Sequence, residues 1–326
     1  MGRTEEEKRK MLTALAQEAA ADPRRQKMEE GERYFSCRHD VLNRNLREKL
    51  IDETEEGGEK LKRFYNPNRS NFRVANPFHR ILVTQKTAFL VNREPSLIVT
   101  GEGTAYQQYR DELSQFADEK FGEILYRWVV GASNKGVEYV HVYYDDTGKL
   151  DYCIVPAEEI TVLYDEKDRE KMTDVIRFYE SEYWENGVHK YQKKAEWWTK
   201  DDVTYYTESG NGSYHKVGDS PHWNVSFQID GKEVARESHG WGRLPFIPLK
   251  NNEREESDLT LIKGLVDAYD LISSEGTNNL LDLVDLYWVI RGYGGEAAGS
   301  IAKKLAINKA VHIDDSEGGV EAKQVQ

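Results

Sequence analysis

Cysteine is nearly absent from this sequence, since only Cys37 and Cys153 occur among its 326 residues. The two lie far apart in unrelated contexts, which excludes the small secreted class of proteins that is held together by a disulfide framework. The eight histidines show none of the spacings that metal ligands require, so no metal site is expected. The simplest expectation is a protein that is made and kept in a reducing cytoplasm.

Long hydrophobic runs are missing as well. No apolar stretch approaches the roughly 20 residues that a membrane-spanning helix needs. The polar opening segment, residues 2–7, has no apolar core of the kind that a signal peptide carries. The sequence therefore predicts a soluble cytoplasmic protein with no membrane partner.

Positive charge is in short supply, with 45 Lys and Arg against 58 Asp and Glu and a net charge of −13. A protein that grips nucleic acid over a broad face needs basic side chains to contact the phosphates. This composition excludes such a grip. If the protein handles DNA, the DNA has to slide past it.

Motifs for catalysis are also lacking, because neither a G-x-x-x-x-G-K-[ST] phosphate loop nor a G-x-S-x-G elbow occurs. The segment Gly292–Ala297 has the G-x-G-x-x-A pattern of a dinucleotide site, and Asp314 and Asp315 follow close to 20 residues later. A dinucleotide fold needs several parallel strands, whereas only one further strand is predicted here. We therefore predict no enzyme and no cofactor, and keep nucleotide binding at 292–297 as a less favoured alternative.

What the sequence does contain is aromatic side chains, with 19 tyrosines and seven tryptophans, which argue for a folded chain. Residues 3–64 are predicted to be mostly helical, with a break at Ala21-Asp22-Pro23. Asn76 as N-cap and Pro77 in the first helical position predict the start of another helix. A further helix is predicted over residues 104–132.

The apolar period then changes to two, which predicts a hairpin over residues 137–155 and more antiparallel strands from 175 to about 240. Helices in front of an antiparallel sheet region give an α+β fold class. After a long helix, the last segment predicts a strand at 288–291, a short helix at about 296–307 and a strand at 310–313.

The long helix is predicted from Ser257 or Asp258 to about Tyr287, and it carries nine acidic residues against two basic ones from Glu253 to Asp285. Gly264 and Gly276 are expected to mark bends or close helix contacts. One apolar stripe is expected to pack against a partner helix. Its members are Ile262, Leu265, Val266, Tyr269, Ile272, Leu280, Leu283 and Val284.

Several segments of the chain, taken in order, resemble the SPP1-type portal family of tailed bacteriophages. The resemblance is strongest in Gly240-Trp241-Gly242-Arg243-Leu244-Pro245-Phe246-Ile247-Pro248-Leu249-Lys250-Asn251-Asn252. It continues in Asp267-Ala268-Tyr269-Asp270-Leu271-Ile272-Ser273-Ser274 and in Ile290-Arg291-Gly292-Tyr293. Upstream, it includes Asn76-Pro77-Phe78-His79-Arg80-Ile81-Leu82-Val83 and Val155-Pro156-Ala157-Glu158-Glu159-Ile160. It covers roughly residues 30–326.

The resemblance implies four parts: a charged helical extension (1–29), a wing-like α+β domain (30–256), a stem helix (257–287) and a partial clip (288–326). It also implies a ring of about twelve identical subunits at one capsid vertex. In such a ring, four acidic side chains are candidates for lining the channel: Asp267, Asp270, Asp282 and Asp285. The apolar stripe becomes the candidate for stem packing or the ring interface. Four residues are candidates for docking at the clip: Arg291, Tyr293, Lys303 and Lys304.

The partners implied by the resemblance are the terminase motor, head-completion or adaptor proteins and the capsid or scaffold protein. Double-stranded DNA would pass through without sequence specificity, and the protein would be a virion component that is assembled in the bacterial cytoplasm. Family members continue with a second stem helix, a tunnel loop and a crown, so the resemblance implies a shortened portal or prophage protein. The alternative from another class is a non-catalytic adaptor that binds a partner through the 257–287 helix.

Overall fold

The computed structural model describes residues 4–55, 58–65, 69–93, 98–116, 119–145, 148–210, 212–229, 232–282, 287–291 and 319–323. The chain divides into two compact units. The first comprises residues 1–38 and 77–264, and the second comprises residues 39–76 and 265–326. This division differs from the predicted boundaries at 29, 256 and 287, and the assignment of wing, stem and clip stays a prediction.

Five helices of the first unit precede its strands: α1 (Glu5–Ala21), α2 (Pro23–Phe35), α3 (Phe78–Val91), α4 (Thr104–Phe116) and α5 (Glu119–Lys135). Thr4 and Glu7 form a capping box at the start of α1, so two of its free backbone N–H groups are satisfied. The predicted break is confirmed, because Asp22 caps α2 and Pro23 occupies its first turn. The single helix predicted over 104–132 is described as two helices, α4 and α5.

The strands of the first unit include the antiparallel ones predicted over 137–155 and from 175 to about 240, which are confirmed, and two at 160–164 and 246–250 that were not predicted. They are β3 (Val137–Tyr144), β4 (Leu150–Val155), β5 (Ile160–Tyr164), β6 (Met172–Glu185), β7 (Val188–Trp198), β8 (Asp202–Ser209), β9 (Ser213–Pro221), β10 (Trp223–Ile229), β11 (Lys232–His239) and β12 (Phe246–Lys250). They form a three-stranded sheet in the order β12-β3-β4, a five-stranded sheet in the order β5-β6-β7-β8-β9, and the pair β10-β11. All described pairings are antiparallel, which agrees with an α+β fold class.

The five-stranded sheet is buried on both of its faces. Val175 and Ile176 are neighbours on β6 and both are fully buried, yet they belong to different hydrophobic clusters. Successive strand residues point to opposite faces, so one cluster lies on each side of the sheet. The Val175 side contains Val137 and Phe246 of the three-stranded sheet, and the Ile176 side contains Leu12 of α1. The sheet is thus covered by strands on one face and by α1 on the other.

The second unit contains a hairpin that the sequence analysis did not predict. Strands β1 (Glu48–Glu55) and β2 (Gly58–Tyr65) pair in register from Glu48↔Tyr65 to Glu55↔Gly58. The expectation of mostly helical structure over 3–64 is therefore wrong from Glu48 onward. Pairing between the two adjacent strands overrides the local helical preference of its many charged residues.

The long helix α6 (Asp258–Asp282) begins in the first unit and ends in the second. Its start is as predicted, because Oγ of Ser257 accepts a hydrogen bond from the backbone N–H of Leu259 at 3.1 Å. Its predicted end at about Tyr287 is wrong, since Tyr287 opens a strand, β13 (Tyr287–Arg291). That strand agrees with the one predicted at 288–291.

A last strand, β14 (Gly319–Lys323), pairs antiparallel with β13 and was not predicted. The helix predicted at 296–307 and the strand predicted at 310–313 lie outside the described residues.

Candidate functional site

The helix α6 carries most of the residues that the sequence singled out, and its buried face in the second unit is polar. Asp270, Ser274 and Asn278 follow each other at four-residue spacing, which places them on one face of the helix. All three side chains are completely shielded from solvent. A buried polar face needs hydrogen-bond partners, because a polar group without one costs free energy.

The partner of this polar face is the backbone of an extended segment, residues 69–76. The backbone N–H of Asn76 donates to Asp270 at 2.8 Å and that of Val74 donates to Ser274 at 2.9 Å. Asn278 both accepts from the N–H of Phe72 (2.7 Å) and donates to its carbonyl oxygen (3.0 Å). Four helical residues rise about 6 Å, and two extended residues span about 6.6 Å, so the two periods nearly match. We call this set of contacts the polar seam.

Asp270 is the centre of the seam. Its Oδ2 lies 2.5 Å from Nδ1 of His39, and both side chains are fully buried. Its Oδ1 accepts from the backbone N–H and from the side-chain amide of Asn76. The predicted role of Asn76 as a helix cap is wrong, because α3 starts without a side-chain cap while Asn76 contacts Asp270 instead.

The four predicted channel-lining aspartates therefore differ in their environments. Asp270 was wrong as a candidate, because a carboxylate that is buried and bonded inside its own chain has no surface to present to DNA. Asp267 is partly exposed. Asp285 and the side chain of Asp282 lie outside the described residues. A further acidic residue of the helix, Glu275, forms an ion pair with Arg69.

The outward face of α6 is apolar, which inverts the usual arrangement of a helix in a soluble domain. At about 100° per residue, Leu265 and Ile272 project within about 20° of each other and nearly opposite Asp270. Their side chains are 75% and 70% exposed, and Leu280 is 69% exposed. Leu261 and Tyr269 add to the same exposed face. We call these five residues the apolar face of α6.

The predicted apolar stripe maps only partly onto this face. Leu265, Tyr269, Ile272 and Leu280 are exposed. Val266 is buried within the chain, so it is not available, and Ile262 is partly buried. Leu283 and Val284 lie outside the described residues.

Within the described residues, the two glycines of α6 make no close helix contact. A Cβ atom added at Gly264 or at Gly276 would meet no described neighbouring atom within 4 Å. The close approach occurs elsewhere, at Gly31 of α2, where a Cβ would lie 1.9 Å from the carbonyl oxygen of Asn134 in α5.

The predicted clip residues and the glycine-rich segment are barely described by the structure. Arg291 ends strand β13. Tyr293, Lys303 and Lys304 lie outside the described residues, and so does Gly292–Ala297. Docking at the clip and nucleotide binding stay predictions.

Two ionisable side chains of the sheets have strongly perturbed pKa values. Burial, with smaller contributions from Arg177 and His222, lowers the pKa of His141 to about 4. Burial also raises the pKa of Tyr179 to about 12. Among the described residues, no group of three or more His, Cys, Asp or Glu side chains is arranged to hold a metal ion. No helix in the described part of the chain is both long and apolar enough to cross a bilayer.

Comparison with known proteins gives a consistent result. Residues 18–326 match the family model described as phage portal protein, SPP1 Gp6-like. The chain belongs to this family. It is 31% identical over 303 residues to the portal protein of Bacillus phage SPP1, which covers 89% of this chain and 54% of that protein.

A second relative in the portal family is the portal protein of Clostridium phage phiCD119 (strain Clostridium difficile/United States/Govind/2006). The identity is 24% over 316 residues, which covers 93% of this chain and 64% of the relative. The chain thus spans about half to two thirds of the length of these two portal proteins. The resemblance that the sequence analysis identified is confirmed.

The polar seam is the feature that the sequence analysis missed. His39, Ser274 and Asn278 were given no structural role, Asn76 was predicted to be a helix cap, and Asp270 was predicted to line a channel. The available signal was the four-residue spacing of polar side chains opposite an apolar stripe. The signal does not show what covers this face, because the covering segment lies about 200 residues earlier in the chain.

Proposed function

We propose that the chain is a non-catalytic structural subunit of a portal ring at a capsid vertex, through which double-stranded DNA is packaged and ejected. The observation that carries the proposal is the match to the phage portal family over residues 18–326. Both relatives described above are portal proteins of phages by name. The ring, its number of subunits and its dockings are part of the proposal.

The apolar face of α6 supports packing of this helix against another subunit. Five large apolar side chains on one exposed helical face form a patch that a monomeric soluble protein seldom leaves uncovered. The polar side chains of the same helix are already used inside the chain, in the seam with residues 69–76. In the proposed ring, α6 is the stem helix and its apolar face is covered.

The acidic balance of the chain supports the passage of DNA without tight binding. A net charge of −13 disfavours a broad hold on phosphates, and a channel with an acidic lining repels them. With Asp270 removed from the set, Asp267, Asp282 and Asp285 remain the proposed lining residues. Each of them would slow the DNA less than a lysine or arginine at the same place.

The partners follow from the portal role and are proposed with it. They are the terminase, head-completion or adaptor proteins, and the capsid or scaffold protein. The segment 288–326, with Arg291, Tyr293, Lys303 and Lys304, is the proposed docking region. Assembly would take place in the bacterial cytoplasm, and the finished protein would be part of the virion. No cofactor enters this proposal.

A second function is favoured by the same exposed face of α6. An adaptor that binds one partner through this helix would also leave these side chains uncovered in the free chain. The two functions differ in stoichiometry, because the adaptor is a monomer or dimer and the portal forms a closed ring.

Light scattering on two charge variants tests the ring proposal. Ile272→Asp places a carboxylate in the proposed interface, and we expect the mass of the assembled species to fall toward that of one subunit. Thr260→Asp adds the same charge at an exposed polar position on a different face of the helix, and we expect a smaller change. If the wild-type chain, alone and extended through any downstream coding sequence, stays monomeric, the portal proposal is contradicted.

A further inference from the structure

The hairpin of β6 and β7 extends beyond every strand that flanks it. Strand β5 pairs with β6 only as far as Arg177, opposite Ile160. Strand β8 pairs with β7 only from Lys194 onward. Residues 180–193 therefore pair only with each other among the described strands, in register from Glu180↔Lys193 to Glu185↔Val188. We call residues 180–193 the arm.

The arm is a well-defined hairpin rather than a loose loop. Its two-residue turn, Asn186-Gly187, has positive φ at both positions, 51° and 76°. This backbone is the favoured one for two-residue hairpins, because its twist matches that of the strands. A two-stranded ribbon is only marginally stable alone, however. An ordered ribbon with two unpaired edges is suited to being completed by another strand.

Apolar side chains on the arm are exposed to an unusual degree. Trp184 is 73% exposed, and Tyr191 and Val188 are also more than half exposed. Trp184, His189 and Tyr191 lie on the same face, with ring centroids 5.1 Å and 4.8 Å apart between neighbours. A second ribbon paired at an edge would cover the sides of these rings that point toward it and would leave the outer face of the ladder exposed.

The two edges of the arm carry opposite charges. The β6 strand of the arm contains three glutamates (180, 182 and 185) and no lysine or arginine. The β7 strand of the arm, residues 188–193, contains Lys190 and Lys193, and no aspartate or glutamate. Charged side chains that only protect an edge from pairing need no such separation. An acidic edge and a basic edge on one ribbon favour side-by-side pairing with an identical ribbon.

Two of these charged side chains have no ion-pair partner among the described residues. Lys190 is paired with Glu185, and His189 lies 3.3 Å from Glu182. Glu180 and Lys193 face each other in the register, yet neither has an ion-pair partner within the described part of the chain. They are therefore available to a neighbouring ribbon.

We propose that the arm joins neighbouring copies of this chain by edge-to-edge strand pairing, with the β6 edge of one copy beside the β7 edge of the next. Strand β6 runs toward the tip and β7 runs back. Arms that point the same way therefore pair antiparallel, as the two strands already do within one arm. The contact is head-to-tail, so it closes into a ring when each step rotates by a fixed fraction of a turn. This inference rests on the proposed function and adds a second, charged contact to the apolar one on α6.

Charge reversal in the full chain tests the arm. Glu180→Lys makes positions 180 and 193 both basic, and Lys193→Glu makes both positions acidic. We expect either variant alone to raise the concentration at which subunits assemble by about fivefold or more, as measured by sedimentation velocity. An equimolar mixture of the two variants should assemble at close to the wild-type concentration, because positions 180 and 193 of neighbouring copies then carry opposite charges.

The mixture separates a contact between copies from one within the arm. Each variant retains its own repulsive Glu180/Lys193 position after mixing, so only a contact between copies can restore assembly. Glu166→Lys and Lys27→Glu are exposed reversals outside the arm and should leave assembly unchanged. Assembly of each arm variant at the wild-type concentration, or a mixture no better than its components, would overturn the proposal.

The outcomes also separate the arm from the ring. If the wild type and every arm variant form closed rings, the arm contact is contradicted and the portal function is not. Arm-dependent assembly into open chains would support the arm and contradict the ring. If the variants altered only the binding of capsid shells and not self-assembly, the arm would serve another protein, and the inference would be wrong.

Discussion

His39 and Asp270, which are 231 residues apart in the chain, meet through Nδ1 and Oδ2 at 2.5 Å with neither side chain exposed. The contact fixes α6 to the segment that precedes β1, and the neighbouring bonds from Asn76 hold the other carboxylate oxygen. An aspartate that looked like part of a channel lining is instead a structural element of the second unit. The stability of the second unit should therefore depend on it.

Removing the Asp270 carboxylate should destabilise the protein strongly. Asp270→Ala takes away the partner of His39 and the acceptor for Asn76, and the loss of one member of a buried pair costs about 3–5 kcal/mol. Asp267→Ala, at a partly exposed position of the same helix, should cost about 1 kcal/mol or less. Urea unfolding of both variants measures the difference. Equal small effects would mean that the seam contributes little.

In a buried ionic network of the first unit, a single substitution should lower the free energy of unfolding more than two substitutions together. Nζ of Lys135 lies 2.7 Å from Glu138 and 2.8 Å from Glu158. Burial lowers the pKa of Lys135, but the two glutamates outweigh this and raise it overall. Glu138→Leu leaves a buried ammonium with one partner fewer and should cost about 3–5 kcal/mol, whereas adding Lys135→Met should recover part of that loss. Unfolding free energies arranged as a double-mutant cycle test this; strictly additive costs would contradict it.

Two glycine substitutions should have effects of opposite sign. Gly31→Ala forces a Cβ against the backbone of Asn134, so we expect a loss of about 1–3 kcal/mol or more. Gly264→Ala meets no described atom within 4 Å and should stabilise the protein by up to about 1 kcal/mol. Thermal midpoints of the two variants measure the contrast. A stabilising Gly31→Ala would show that α2 and α5 are not in close contact.

Stability should fall as the pH is lowered, through the titration of His141. Its ring stacks against Phe246 in the core, and burial lowers its pKa from 6.5 to about 4. A base whose folded pKa is lowered takes up protons more readily when unfolded, so its stabilising contribution is complete above about pH 6.5. That contribution is lost as the pH falls from about 6.5 to about 4, and it amounts to roughly 2–3 kcal/mol.

The matched control for this pH dependence is His141→Phe, which keeps an aromatic ring and removes the titration. Urea unfolding from pH 4 to pH 7 should show a smaller slope for the variant than for the wild type. Identical slopes would place the pH dependence on other groups.

Much of the fold could be predicted from the sequence where the signal is local. The period of two around β3, β4, β6 and β7 predicted their hairpins, and Ser257 predicted the start of α6. The β1-β2 hairpin could not be predicted in the same way, because its charged residues give a helical preference that only strand pairing overrides. The Asn76 cap failed because a residue far along the chain, Asp270, takes its amide groups.

The sequence predicted that α6 carries the candidate site, but it did not predict which face of the helix is buried. Sequence periodicity identified both faces of α6 and the acidic residues on it. It assigned the apolar stripe to packing and the aspartates to a surface, but the polar face is the one that its own chain covers. Which face a helix buries depends on the partner, and here the partner is a backbone segment of residues 69–76 with no periodicity of its own.

The most direct test of the portal ring is negative-stain electron microscopy of the purified chain, alone and extended through any downstream coding sequence. Averaged end-on views should show closed rings of one rotational symmetry, about twelvefold, with a central opening. Single compact particles or dimers without an opening, from both versions, would contradict the portal account and favour an adaptor.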